Sequence, residues 1–169
     1  MTMLEDATGR TVTAHEPRET PWLGVVLGYG PMLPFAAGAA AAWWWRDSWD
    51  ELILLVTIFY GAAILLFLSG VRRGVSFRTE GGPTVVQIAT MLGLFGLGLG
   101  ALLFVGVLGN RVIALDLLIA GFVAVAVLDP IAAKRGEAPL FFARLRPLQM
   151  PIAVLSLAAL LVLKLTSPY

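Results

Sequence analysis

Few residues of this chain could do chemistry, and two of them lie inside apolar runs. Asp116 falls in the run 112–131 and Tyr60 in the run 52–70. An ionisable side chain inside a membrane is a functional-site hypothesis by default, because burying it is unfavourable. Asp116 is expected only about a turn inside its helix. Two interpretations therefore stay open: a ligand or ion site, or a helix-terminal acid that pairs with Arg111 or reaches water.

Prolines interrupt the first apolar run, which contains the sequence LGYGPMLPF. Pro31 and Pro34 each remove a backbone donor and clash with the preceding turn, so we expect a kink or an unwound stretch near Tyr29–Pro34. In a membrane, the freed carbonyls need partners from neighbouring helices. The Tyr60 hydroxyl is one candidate, paired with a carbonyl that Pro34 leaves free. The stretch is interpreted either as a ligand site at a broken helix, as in transporters, or as a plain structural kink.

Several classes of reactive centre are excluded by composition. The chain has no cysteine and a single histidine, His15, so thiolate metal sites, disulfides and a cysteine nucleophile are excluded. HExxH and Ser/His patterns are also missing from the sequence. We therefore expect no enzyme activity and no cofactor held by this chain. Contact with a lipid, a quinone or a pigment stays open, with any pigment ligated by a neighbouring chain.

The elements that must position these residues are apolar runs, each long enough to cross a hydrocarbon core as a helix. The chain is 59% hydrophobic and 14% charged, with mean hydropathy +0.86, whereas soluble domains are about 25% charged. The net charge of +1 makes nucleic acid an unsuitable partner. The sequence predicts an all-α, polytopic membrane bundle: a polar cytoplasmic tail over 1–21, and a transmembrane domain over 22–169 with helices near 22–45, 52–70, 84–107, 112–131 and 148–165.

Charge predicts the orientation. The segments that connect the five helices alternate between the two sides of the membrane. Nine lysines and arginines then fall on one side: Arg10, Arg18, Arg72, Arg73, Arg78, Lys134, Arg135, Arg144 and Arg146. Three fall on the other: Arg46, Arg111 and Lys164. The positive-inside rule then places the N-terminus in the cytoplasm and the C-terminus outside, in a bacterial cytoplasmic membrane.

Interface anchors are expected at both sides of the membrane. Indole rings favour the headgroup region, which suits Trp22, Trp43, Trp44 and Trp45. Long basic side chains extend toward lipid headgroups, which suits Arg72, Arg73, Arg144 and Arg146.

Three further features concern the later helices. The glycines Gly93, Gly96 and Gly100 permit close helix contact, so the third helix is interpreted as central to the bundle or as a face for a partner subunit. Asp129 is expected near the cytoplasmic interface, within reach of the arginines and lysines there, and Pro130, which follows it, is expected to end or bend the fourth helix. The segment PLFFARLRPL reads as an interfacial stretch before the last helix, with Pro147 and Pro151 around its start.

The chain resembles the uncharacterised bacterial and mitochondrial membrane proteins grouped with transmembrane protein 69, a domain-of-unknown-function 3429 type. The matching stretches are LGYGPMLPF, FYGAAILLFLSGVRRG, ALDLLIAGFVAVAVLDP and APLFFARLRPLQMPIAVLSLAALLV. The resemblance covers about residues 22–165 and implies a fold and a location, not a reaction. Ser69 stands where the family pattern has glycine, and Arg73 where it has tryptophan.

Two functions are consistent with these features. The first is a non-catalytic accessory or assembly subunit of a larger respiratory or photosynthetic complex in the inner membrane, in contact with membrane lipids and other membrane-protein subunits. The alternative is a small transporter or channel with its site at the proline-broken first helix.

Overall fold

The computed structural model describes residues 3–5, 11–13, 22–46, 49–77, 82–139 and 141–166. Two short antiparallel strands, β1 (Met3–Glu5) and β2 (Thr11–Thr13), pair in the N-terminal tail. The other elements are helical: α1 (Trp22–Tyr29), a 3-10 turn (Gly30–Met32), α2 (Leu33–Trp44), α3 (Asp50–Ser76), α4 (Val85–Gly106), α5 (Arg111–Lys134) and α6 (Phe142–Thr166). With α1 and α2 taken as one span, the described chain has five helices long and apolar enough to cross a membrane. The predicted all-α membrane bundle is confirmed.

The first span is broken within the predicted stretch. The 3-10 turn carries Pro31 and is followed by Pro34 in the first turn of α2. The flanking residues Tyr29 and Leu33 keep right-handed helical dihedrals, so the chain tightens rather than unwinds. Two prolines three residues apart remove donors from consecutive turns, and a 3-10 turn accommodates this loss.

Side-chain caps begin two of the helices. The Thr84 hydroxyl accepts from the Gln87 amide while the Gln87 side chain accepts from the Thr84 amide, a capping box at the start of α4. Asn110 caps α5 by accepting from the Ile113 amide. Gly109 precedes it with φ +64°, a left-handed conformation that favours glycine.

Pro130 was expected to end or bend the fourth helix, and Pro147 and Pro151 were expected around the start of the last one. The structure has neither a helix end at Pro130 nor a helix start at Pro147. Helix α5 continues past Pro130 to Lys134, and α6 begins at Phe142 and contains both Pro147 and Pro151. PLFFARLRPL is therefore largely helical rather than a separate interfacial stretch. Each proline removes one backbone bond, but the packing of Leu145, Met150 and their neighbours offsets that loss, because helices in proteins are stabilised mainly by tertiary contacts.

The core lies between α2, α3, α5 and α6. Fully buried side chains include Phe35, Leu65, Leu118, Phe122 and Leu157. Phe35 and Phe122 meet edge to face with ring centroids 5.1 Å apart. A Cβ at Gly121 would overlap the Leu65 side chain, so a glycine is needed where α5 crosses α3.

Helix α4 lies at the edge of the bundle, against α3 and α5. Only 22% of its most apolar window is buried, the lowest share of the five spans. The interpretation that it is central to the bundle is therefore wrong. Its close contact is at Gly98, where a Cβ would lie 3.3 Å from the Ala62 carbonyl oxygen, whereas Gly93 and Gly96 have no atom of another element within 4 Å of such a Cβ.

Candidate functional site

The strongest concentration of charge is a buried group formed by Arg72, Asp129 and Arg146, called here the Asp129 cluster. Arg72 Nη2 donates to Asp129 Oδ1 at 2.5 Å, and Arg146 Nε lies 3.0 Å from Asp129 Oδ2. The three side chains are only 15%, 7% and 8% exposed, respectively. Two guanidinium groups on one carboxylate leave a net charge of +1 inside the protein.

Three helices bring this cluster together at one end of the bundle. Arg72 lies four residues before the end of α3, Asp129 five residues before the end of α5, and Arg146 is the fifth residue of α6. By helix rise these are depths of about 6–8 Å from the helix ends. Because α6 begins as early as Phe142, Arg146 comes within reach of Asp129, and its guanidinium lies 4.6 Å from the centre of the Phe142 ring.

A pocket of about 70 Å³ opens beside the cluster. Its wall combines the three cluster residues with Arg135 and Glu137 near the α5–α6 loop, so the ionisable groups that line it sum to +1. The remaining wall is mainly apolar, with side chains such as Leu68, Val71, Val86 and Ile131. A cavity of this size holds a few waters or a small charged group.

A second pocket, of about 310 Å³, lies against the broken first span. Gly28, Pro31 and Met32 form one wall, and Arg146 and Gln149 of α6 contribute polar groups. Gln149 is buried, and its Nε2 donates to the Gly28 carbonyl at 3.0 Å. The Gln149 Oε1 atom has no hydrogen-bond donor among the described residues. Arg146 lines both this pocket and the pocket beside the Asp129 cluster.

The Tyr60 hydroxyl holds the break in place. It donates to the Pro31 carbonyl oxygen at 2.9 Å. Pro34, three residues after Pro31, has no N–H with which to make the 3-10 bond to that carbonyl. The Tyr60 ring also packs on Phe35, with centroids 5.3 Å apart. The expected partnership between Tyr60 and a carbonyl freed by Pro34 is present.

A second charged group, called here the Glu51 cluster, joins the same three helices at the opposite end. Glu51 of α3 is paired with Arg111 of α5 and with Lys164 of α6, the latter at 3.3 Å. The Glu51 side chain is 43% exposed, against 7% for Asp129. Both clusters consist of one acid and two bases, but only the Asp129 cluster is buried.

Asp116 does not form part of either group. Asp116 was expected to pair with Arg111 or to reach water. Arg111 is bound to Glu51 and to the Gly109 carbonyl, so the first of these alternatives is wrong. Asp116 is exposed on the flank of α5. Its neighbour Leu117 packs near Gly100, at the contact between α5 and α4. Tyr29 is half-buried beside the 3-10 turn.

The residues expected at the membrane interfaces lie in different surroundings. Trp22, Trp44 and Trp45 are exposed, whereas the Trp43 indole N–H donates to the Ala159 carbonyl of α6 at 3.1 Å. Arg144 is exposed, and the Arg73 guanidinium lies 4.2 Å from the Phe77 ring centre.

Sequence reasoning placed Asp129 within reach of the basic residues on its side but did not select Arg72 and Arg146 as its partners. It did not identify Gln149 at all. A signal was present, since Arg146 and Gln149 stand three residues apart and so share one face of a helix. Within the described part of the chain, no group of three metal-binding side chains occurs.

Comparison with known families identifies the family of this chain. The sequence model of the family described as "Protein of unknown function (DUF3429)" matches residues 20–162. The chain belongs to this family. The match includes both charged clusters except Lys164, and it includes the broken first span. No curated protein and no solved structure has a significant match to the chain.

Proposed function

We propose that this family member is a non-catalytic accessory or assembly subunit of a larger respiratory or photosynthetic complex in a bacterial cytoplasmic membrane. The observation that carries the proposal is the outer face of α4, where Gly93 and Gly96 are exposed and meet no other element of the chain. Exposed Leu92, Phe95 and Leu99 flank them.

Small residues are the means by which helices approach closely in lipid, where the hydrophobic effect gives no drive to associate. Inside this bundle, Gly98 and Gly121 already serve contacts with α3. The exposed glycines on the outer face of α4 would permit the same close approach to a helix from another protein.

An exposed acid on α5 favours a partner of different sequence. Asp116 is exposed within an apolar span, and a carboxylate at that place calls for a basic or hydrogen-bonding group from a neighbour. A symmetric contact between two copies centred on this residue would bring the two Asp116 carboxylates together, which is unfavourable.

The test is purification of the tagged full-length chain from its native membranes in mild detergent, with mass spectrometry of what accompanies it. We expect one identified membrane protein at fixed stoichiometry, lost in Gly93→Leu and Gly96→Leu and weakened in Asp116→Asn. Gly70→Leu is the matched control, because Gly70 is also exposed with open space around it, but on α3. A lone monomer contradicts the proposal, and a dimer of this chain alone replaces the partner with a second copy.

A small transporter or channel is the second candidate, favoured by the pocket of about 310 Å³ at the broken span. Broken helices of this kind supply backbone groups to substrates in transporters. This candidate requires flux through proteoliposomes that Tyr60→Phe reduces, since Tyr60 holds the Pro31 carbonyl. Wild-type flux no higher than that of empty liposomes removes this candidate, and equal flux in the variant and the wild-type chain removes Tyr60 from its site.

A further inference from the structure

We propose that the Asp129 cluster is a binding site for a phosphate group, and that the phosphate belongs to the headgroup of an anionic phospholipid. The site is the pocket of about 70 Å³ beside Arg72 and Arg146.

The Asp129 cluster carries a positive charge that no acid within it balances. Both oxygens of Asp129 are engaged, one by Arg72 and one by Arg146, and one positive charge is left over. A charge without a counter-charge is unfavourable in a buried place, because desolvation is not repaid. An anion in the adjoining pocket balances the surplus.

The cluster also contains a hydrogen-bond donor without an acceptor among the described residues. A guanidinium has five N–H groups in a planar fork that fits phosphate oxygens. Among the described residues, the Arg72 Nε atom is buried with no hydrogen-bond acceptor. The pocket therefore adjoins a donor that the protein itself does not satisfy.

The position and the walls of the pocket favour a lipid over a free ion. The pocket wall includes Val86 of α4 and Ile131 of α5, which are 55% and 41% exposed, so the pocket opens on the outer surface of the bundle between these helices. Its apolar walls suit the glycerol and upper acyl region of a lipid rather than a hydrated ion. Basic pockets between membrane helices at the cytoplasmic side are a recognised place for anionic headgroups, and charge patterning assigns this end of the bundle to that side.

Among the described residues, Glu137 is the one acid other than Asp129 that lines the pocket, and Arg135 lines it as well. These two side chains cancel each other in charge. The surplus of the pocket therefore comes from the Asp129 cluster.

The experiment uses the purified full-length chain in detergent and compares phosphatidylglycerol with zwitterionic phosphatidylcholine of the same acyl chains, by native mass spectrometry and by thermal stabilisation. We expect phosphatidylglycerol to bind about tenfold more tightly, because one added charge-assisted interaction has this magnitude. Equal binding of the two lipids by the wild-type chain overturns the proposal without recourse to any variant.

Inorganic phosphate at millimolar concentration is the second arm. Stabilisation by phosphate alone equal to that by phosphatidylglycerol assigns the site to a free anion and overturns the lipid source. Weak or absent stabilisation by phosphate, together with preferential binding of phosphatidylglycerol, supports a lipid as the source of the phosphate.

The variants locate the site. Arg72→Gln leaves a neutral Arg146–Asp129 pair, so the fold is expected to survive while the preference for phosphatidylglycerol is lost. Arg72→Lys keeps the charge without the fork and is expected to retain part of the preference. The matched control is Arg144→Gln, an exposed residue of α6 that does not line the pocket. Loss of preference in Arg144→Gln equal to that in Arg72→Gln shows a diffuse surface effect and overturns the site.

Discussion

The Tyr60 hydroxyl donates a 2.9 Å hydrogen bond to the Pro31 carbonyl oxygen, which joins the middle of α3 to the broken first span. The bond supplies the donor that Pro34 does not have. A single side chain of one helix thus stabilises an irregularity in another, and this can be tested directly.

Tyr60→Phe is expected to lower the free energy of unfolding in detergent by about 1 kcal/mol, the usual contribution of one hydrogen bond. Tyr29→Phe is the matched control, since the Tyr29 hydroxyl has no hydrogen bond among the described residues, and its effect should be smaller. Chemical unfolding followed by circular dichroism measures both. Equal stability of Tyr60→Phe and the wild-type chain contradicts the role of this bond.

The close crossing of α3 and α5 predicts a strong effect at Gly121. A methyl group there would overlap the side chain of Leu65, which is completely buried and would have to shift. We expect Gly121→Ala to destabilise the monomer by about 1–3 kcal/mol. Gly96→Ala, on the open face of α4, should change monomer stability by less than about 0.5 kcal/mol. Thermal unfolding of both variants in detergent measures the difference. Similar unfolding temperatures for Gly121→Ala and Gly96→Ala would show that the crossing of α3 and α5 accommodates a methyl group without loss of stability.

Asp129→Asn is expected to be the most damaging of the conservative acid substitutions. It leaves two buried guanidiniums without a carboxylate, and the breaking of a buried ion pair carries a penalty of about 3–5 kcal/mol. Asp116→Asn on the exposed flank of the same helix is the control and should leave the stability of the isolated chain nearly unchanged. A double variant Asp129→Asn with Arg72→Gln should recover part of the loss, because it removes one of the two unbalanced charges. No recovery would mean that the two residues act independently.

The Glu51 cluster should contribute much less than the Asp129 cluster. Its central carboxylate is 43% exposed, and ion pairs at the surface contribute about 0–1 kcal/mol. Glu51→Gln is therefore expected to lower stability slightly at low salt and hardly at all at high salt, where charges are screened. Unfolding at two ionic strengths provides the measurement. A large loss that persists at high salt would show that this cluster is shielded from solvent in the membrane.

The orientation stays a prediction, and the lack of cysteine makes it simple to test. Leu108→Cys, between α4 and α5, is expected to react with a membrane-impermeant maleimide added to intact cells. Lys134→Cys, at the end of α5, is expected to react only after the cells are permeabilised. The reverse pattern would place the N-terminus outside and would put the Asp129 cluster at the outer side.

The sequence was sufficient for the number of spans, the break near Tyr29–Pro34 and the partner of Tyr60. Each of these depends on local chemistry: an apolar run of sufficient length, a missing N–H, and a hydroxyl at membrane depth that needs an acceptor. The family was also recognisable from the sequence.

The partners of Asp129 and the extents of α5 and α6 were not predictable in the same way. Helix-breaking rules act on neighbours in sequence, whereas Pro130, Pro147 and Pro151 stay in helices because distant residues pack around them. Arg146 was assigned by its sequence position to a surface stretch. Its burial depends on α6 starting at Phe142, which is a property of the assembled bundle. The edge position of α4 likewise depends on how α3 and α5 pack in the assembled bundle, and the glycine content of α4 does not predict it.

The two charged clusters share one consequence for how the chain is made. Helices α3 and α5 are synthesised before α6, and between them they already contain Asp129 with Arg72 and Glu51 with Arg111, each acid with one base. Helix α6 then supplies the second base at both ends, Arg146 at its start and Lys164 near its finish. A nascent chain can therefore form two neutral pairs before α6 is present. The arrival of α6 turns each pair into a group of one acid and two bases, so this helix is held by an ion pair at both of its ends.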